Sequence, residues 1–192
     1  MNFFRPQYQL ILASKSPRRQ ELLKGLGLEF RVMTKEVAET YPEHLELKEV
    51  ASFLAEKKAE AFRPDLMENE LLICADTTVL DGQKILNKPE NKEEAIHMLT
   101  QLSGKSHEVI TGVCMMNLTK KVVFSDTTKV HFRPLEVEEI DFYVNTFSPY
   151  DKAGAYGIQE WIGYIAVERL EGSFYTVMGL PVHLIYEKLK RW

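Results

Sequence analysis

Leu71-Leu72-Ile73-Cys74-Ala75-Asp76-Thr77-Thr78-Val79-Leu80-Asp81-Gly82-Gln83-Lys84-Ile85-Leu86 decides the fold class. Its first five residues form the most hydrophobic short run in the first half of the chain, the length of a buried strand, and Asp76 stands at the exit. A carboxylate abutting such a run is costly to bury unpaired, so it marks a site more strongly than a surface acid does. Val79-Leu80 and Lys84-Ile85-Leu86 flank Asp81-Gly82, a dipeptide that supplies the positive φ values of a type I′ turn, and read as a tight hairpin. A buried run leading into a hairpin predicts a mixed sheet.

Upstream, Gln9–Ala13 is a second short apolar run. Ser16 suits an N-cap and Pro17 a first helical position, so a helix is expected over 18–26, with Leu22, Leu23 and Leu26 inward and Gly25 and Gly27 closing it. Residues 29–34 read as a strand and 35–45, with Pro42, as an acidic loop. A helix over 46–62 carries Val50, Phe53, Leu54 and Ala61 on one stripe, and Arg63-Pro64 stops it. Downstream, Asn91 and Glu94 cap a helix that reaches Leu102, and strands follow over 107–117 and 122–132. A helix over 136–146 turns Val137, Ile140 and Val144 inward. Irregular backbone is expected over 151–159, around Gly154 and Gly157, then a hairpin of 162–170 with 173–177 about Glu171-Gly172, then a helix over 180–190. With no internal repeat or linker, the expectation is one mixed α/β domain over 1–192.

Composition narrows the function. The chain has 192 residues, 45% hydrophobic and 27% charged, which excludes disordered, collagenous and disulfide-scaffold classes. Twenty-four Lys and Arg against 28 Asp and Glu leave a charge of -4, so no broad grip on nucleic acid is expected and any bound polyanion should be small. No apolar stretch approaches the roughly 20 residues that cross a bilayer. One arginine, Arg5, before the short run 10–13 makes a poor signal peptide, so a cytoplasmic protein is expected. Cys74 and Cys114 lie inside apolar runs without metal-ligand spacing and read as buried free thiols.

Ser14-Lys15-Ser16-Pro17-Arg18-Arg19 gathers two hydroxyls and three cations at a helix N-terminus, where free N–H groups and the helix dipole favour an anion such as phosphate. Taken alone, these residues fit a solvated basic turn equally well. They lack the Walker glycines, so a P-loop enzyme is not expected. Glu36, Glu39 and Glu43 in the acidic loop and Asp76 are oxygen donors of the kind that a hard divalent cation shares with substrate phosphates, although Glu36 and Glu43 read first as solvated loop charges. Lys57 falls on the stripe with Val50 and Leu54, with Lys58 as its solvent-facing neighbour; it either faces an anion or snorkels to water. Lys88, Lys105 and His107 read as ordinary loop residues. No histidine pairs at zinc spacing, and no Gly-x-Ser-x-Gly elbow is present.

In order along the chain, Leu12-Ala13-Ser14-Lys15-Ser16-Pro17-Arg18-Arg19, Ala75-Asp76-Thr77, Asn87-Lys88-Pro89, 103–109 with Thr111-Gly112-Val113, Asp151-Lys152-Ala153-Gly154-Ala155-Tyr156-Gly157-Ile158-Gln159, and Gly179-Leu180-Pro181 resemble the signatures of the Maf family of nucleoside triphosphate pyrophosphatases. The resemblance spans nearly the whole chain. It implies an elongated two-lobed mixed-sheet α/β fold of the inosine triphosphate pyrophosphatase type, a nucleotide cleft between the lobes, a homodimer, and a divalent metal such as Mg or Mn. It further implies Asp76 as general base, Glu39 and Asp76 as metal ligands, and Ser14, Arg18, Arg19, Lys57 and Lys88 as triphosphate ligands. Arg18, Thr77 and Gln159 stand at the family's specificity positions, and the late block resembles the branch acting on dTTP and UTP. A Gln amide offers both donor and acceptor to a uracil or thymine edge. Two departures are Lys15, where a small residue is frequent, and Glu160-Trp161, where Gly commonly follows Gln159. The alternatives are a pyrophosphatase selective for 7-methyl-GTP and a nucleotide-binding regulator of septum formation with little turnover. A single-strand nucleic-acid binder would need aromatics on a basic face, which the acidic balance disfavours.

Overall fold

The computed structural model describes residues 7–192, so Arg5 of the leader reading lies outside the described residues. The elements run β1 (Gln9–Ala13), α1 (Pro17–Gly25), β2 (Phe30–Met33), α2 (Val50–Glu60), β3 (Glu70–Asp81), β4 (Lys84–Leu86) and α3 (Lys92–Leu102). There follow β5 (Ser106–Met116), β6 (Lys121–Phe132), α4 (Val137–Phe147), α5 (Trp161–Ala166), β7 (Val167–Glu171), α6 (Phe174–Val177) and α7 (Val182–Lys190). The sheet order is β2-β1-β3-β5-β6-β7, with β4 paired to β3. β1 runs parallel to β2 and β3, whereas β3/β4 and β6/β7 are antiparallel, so the mixed α/β class is borne out. Among the described residues no helix is long and apolar enough to cross a membrane.

The chain divides into two compact units: Met1–Asp76 with Thr111–Asp126 and Gly179–Trp192, and Thr77–Ile110 with Thr127–Met178. In the first, period-two alternation sends Leu10, Leu12, Leu71 and Ile73 to one face, where they pack with Leu23, Leu180 and Ile185. Ile11, Leu72, Cys74 and Cys114 pack on the other face with Ala55, Ala59 and Phe62. Helices cover both faces, which is why these strands read as unbroken apolar runs. Both thiols are buried and free, as read. The second unit packs Leu99, Leu102, Phe132, Ile140, Tyr143 and Ile162 into one core.

Four local readings change. β3 does not stop at Ala75: it continues through Asp76 to Asp81, because the β-branched Thr77, Thr78 and Val79 sustain extended backbone, so Asp76 lies inside a strand. The inward residues of α2 are Val50, Ala51, Leu54, Ala55 and Ala59, so Val50 and Leu54 stand as read, with Phe53 and Ala61 only half-buried. Small residues are needed there because α2 presses on β5 at Gly112, where a Cβ would fall 2.3 Å from the Ala51 carbonyl carbon. Val137, at the open first turn of α4, is 68% exposed, and Ile140, Tyr143 and Val144 face inward. Residues 162–170 and 173–177 form helix α5, strand β7 and helix α6 in place of a hairpin. Gly163 permits the compact turn into α5, since a Cβ there would overlap the Ile158 carbonyl oxygen at 1.8 Å.

Candidate active site

The loop between β1 and α1 is ordered by its own hydroxyls. Ser14 is buried and its Oγ accepts the Ser16 N–H at 3.2 Å, while Ser16 caps α1 by accepting the Arg19 N–H at 3.5 Å. Arg19 Nε donates to the Gly179 carbonyl at 2.8 Å and Nη1 to the Ala75 carbonyl at 2.7 Å, fastening α1 to β3 and to the last segment. Burial lowers the Arg19 pKa, with Asp76 pulling against it and Arg18 adding to the lowering. Two arginines and a helix N-terminus thus stand close together, and the first turn contains no acidic residue to balance them.

Asp76, only 7% exposed, receives a hydrogen bond from Lys58 Nζ. The same ammonium donates to Glu39 Oε1 at 2.6 Å, so α2 bridges a strand carboxylate and a loop carboxylate. Burial acts to lower the Lys58 pKa, but Asp76 and Glu39 together outweigh it and hold the pKa above the usual lysine value. The lysine is therefore a permanent cation between two carboxylates.

The geometry reverses which of the two lysines reaches the carboxylates. Lys57 Nζ donates to the Thr40 carbonyl at 2.7 Å and to its hydroxyl at 2.8 Å, whereas Lys58 shares the turn-spaced face of Leu54 and Ala55 and reaches Asp76. Alanines hid the true stripe: counting Ala51 and Ala55 as inward would have selected Lys58. Glu36 is almost fully exposed in an ion pair with Lys15, and Glu43 is exposed, so both are loop charges.

The other candidates belong to the second unit. Thr77 is half-buried, and the Thr78 hydroxyl beside it is buried without a hydrogen-bond partner among the described residues. Lys88 is exposed in the loop after β4, whose Asn87 carbonyl accepts the Gly154 N–H at 3.1 Å. Gly154 takes φ +69, the left-handed conformation that a glycine adopts freely, so the late segment is irregular as read. Gln159 is half-buried, with its Oε1 enclosed and unpartnered among the described residues. Two fixtures of this segment escaped the sequence reading. His107 is buried and its Nε2 lies 2.7 Å from the Tyr156 hydroxyl, and Tyr143 accepts the Gly157 N–H at 3.1 Å. Three-residue spacing from Ile140 was the available signal for Tyr143.

Residues 9–192 match the family described as Maf-like protein. The chain belongs to the Maf family. A Maf relative from Porphyromonas gingivalis, named dTTP/UTP pyrophosphatase, is 51% identical over 187 residues, 96% of this chain and 94% of its own. One from Parabacteroides distasonis, with the same name, is 49% identical over 187 residues and 97% of each chain. Among solved structures, the Staphylococcus aureus Ham1 protein aligns at 16% identity with a TM-score of 0.47, over 65% of this chain and 71% of that one. The Maf match contains every candidate residue described above.

Proposed function

We propose that the protein is a nucleoside triphosphate pyrophosphatase that hydrolyses dTTP and UTP, with modified pyrimidine nucleotides of the same base edge, to the monophosphate and pyrophosphate. The observation that carries this reading is the buried Asp76 carboxylate, bridged by Lys58 to Glu39 in the same unit as the Arg18–Arg19 helix start. The names of the Maf relatives support the choice of substrates.

Asp76, as general base, takes a proton from water as the water oxygen attacks the α-phosphorus, and pyrophosphate leaves with the electrons of the broken P–O bond. Attack meets negative charge and departure creates more, so cations are the main requirement. Ser14, Arg18, Arg19 and Lys88 are assigned to the triphosphate, and Lys58 takes the part that the resemblance implies for Lys57. Arg18, Thr77 and Gln159 are assigned to base selection.

Among the described residues no group of three or more His, Cys, Asp or Glu side chains is placed to hold a metal alone. Glu39 and Asp76 sharing one ammonium nevertheless fit a cation such as magnesium, which takes one or two carboxylates together with substrate phosphates. Held by Glu39 and Asp76, Mg or Mn would supply neutralising charge at the phosphate oxygens. We also assign a homodimer and a cytoplasmic location, which sedimentation and cell fractionation test.

Asp76→Asn removes the base while keeping the side chain's shape. It should bind UTP and lose turnover by about a thousandfold or more. Near-normal turnover in that variant would take Asp76 out of the base role.

A further inference from the structure

Residues 34–46, which include Glu39, form neither helix nor strand. The Leu45 N–H donates to the Pro42 carbonyl at 3.1 Å, beyond Glu39 along the chain. Side chains of α2 fasten the part that bears the carboxylate. Lys57 Nζ donates to both oxygens of Thr40, the carbonyl at 2.7 Å and the hydroxyl at 2.8 Å, and Lys58 Nζ donates to Glu39 Oε1 at 2.6 Å. Two successive lysines thus hold two successive loop residues. α2 is a firm base for them, since Ala51, Leu54, Ala55 and Ala59 are buried and its backbone rests on Gly112.

The two ties differ in kind. Lys58 also donates to Asp76 and is assigned above to the triphosphate, so its hold on Glu39 loosens as phosphate draws the ammonium. The bonds of Lys57 to Thr40 involve neither acid and persist when Lys58 moves. A bond to the carbonyl fixes a peptide plane and a bond to the hydroxyl fixes χ1, so backbone and side chain of Thr40 are both restrained, one residue from Glu39. Magnesium demands near-ideal geometry at about 2.0–2.1 Å, and a ligand on irregular backbone meets that demand only where its neighbours are anchored to a rigid element.

We propose that Lys57 is a positioning residue for Glu39: by clamping Thr40 to α2, it holds the loop where the Glu39 carboxylate can share a divalent cation with Asp76. All five residues of the arrangement, Glu39, Thr40, Lys57, Lys58 and Asp76, lie in one compact unit. The inference rests on the metal assignment above and deepens it, giving Lys57 a part that needs no contact with phosphate. Charge and position act in opposite directions here. The charge of Lys57 alone repels a second cation, so its removal would tighten metal binding, whereas loss of the clamp loosens it. The sign of the change separates the two.

The test is the Kd of Mn2+ without nucleotide, read from the EPR signal of the free ion, in the wild type, Lys57→Gln, Lys57→Arg, Thr40→Val and Glu39→Gln, with melting temperatures alongside. Lys57→Gln and Thr40→Val should each raise Kd by about tenfold, and Lys57→Arg, whose guanidinium can donate to two oxygens, should stay near the wild type. Saturating metal offsets a shift of that size, so it is read in metal binding and not in kcat/KM. An unchanged or lower Kd in Lys57→Gln overturns the inference, and so does a rise that Thr40→Val does not share or that follows melting temperature across the variants. An unchanged Kd in Glu39→Gln overturns the metal assignment, and the inference with it. Because no nucleotide is present, the result stands whether or not the protein hydrolyses UTP, and a failed pyrophosphatase reading is told apart from a failed clamp.

Discussion

Lys58 is the residue on which the electrostatics of the site turn. It stands between Asp76 and Glu39, two carboxylates that would otherwise repel each other, and its raised pKa reflects both. Replacing it by Gln removes a side-chain cation that the structure places on both acids. Lys58→Gln should lower kcat/KM by about a hundredfold, whereas Lys57→Gln, which frees only Thr40, should stay within about threefold of the wild type. The reverse ranking would return the role to Lys57. Ser14, Arg18, Arg19 and Asp76 could be picked out from the sequence because hydroxyls, cations and an acid beside apolar runs are locally conspicuous. Lys58 could not, because its rank on α2 depends on alanines, which carry little hydrophobic signal of their own.

Element packing sets where those side chains stand. Gly112 lets the backbone of α2 rest on β5, and α2 carries Lys58 toward β3. Gly112→Ala forces a Cβ to within 2.3 Å of the Ala51–Ser52 peptide, so melting temperature should fall by about 5 °C or more, with loss of activity as α2 shifts. Unchanged melting and activity would show that the helix is not seated there.

In the second unit His107 donates to or accepts from Tyr156, with Phe132 edge-on to both rings, and burial first, then nearby His131, lowers its pKa to about 4. The folded state therefore binds the proton less readily than the unfolded chain. The stability this provides is complete above about 6.5 and is lost as pH falls toward 4, on the order of 3 kcal/mol in all. Melting temperature should drop over that window, and less steeply in His107→Phe than in the wild type. Equal slopes would show that His107 is not the group responsible. β1 and α1 were legible because the apolar run, the Ser16 cap and Pro17 are local signals. α5 was not, because its start depends on a contact between Gly163 and the Ile158 carbonyl that only the folded chain makes.

At the scale of the molecule, β3, β5 and β6 each supply residues to both compact units, and Asp76 and Thr77 fall either side of the division. A strand that reads as one apolar run plus a hairpin arm gives no local sign of such a division, since extended backbone continues unbroken through it. The late block carries no regular period, so its tie to the loop after β4, through Gly154 and Asn87, was likewise hidden. Family signatures in order along the chain compensated for this. They pointed to the family, and the match over residues 9–192 agrees with them.

Turnover with magnesium, measured against dTTP, UTP, CTP, GTP and 7-methyl-GTP with pyrophosphate and orthophosphate detected separately, bears most directly on the proposed reaction. Pyrophosphate without orthophosphate, released from dTTP and UTP well ahead of the other nucleotides and abolished by EDTA, is the expected result. A sample that binds a nucleotide yet releases pyrophosphate from none of them would contradict hydrolysis and leave a nucleotide-binding regulator in its place.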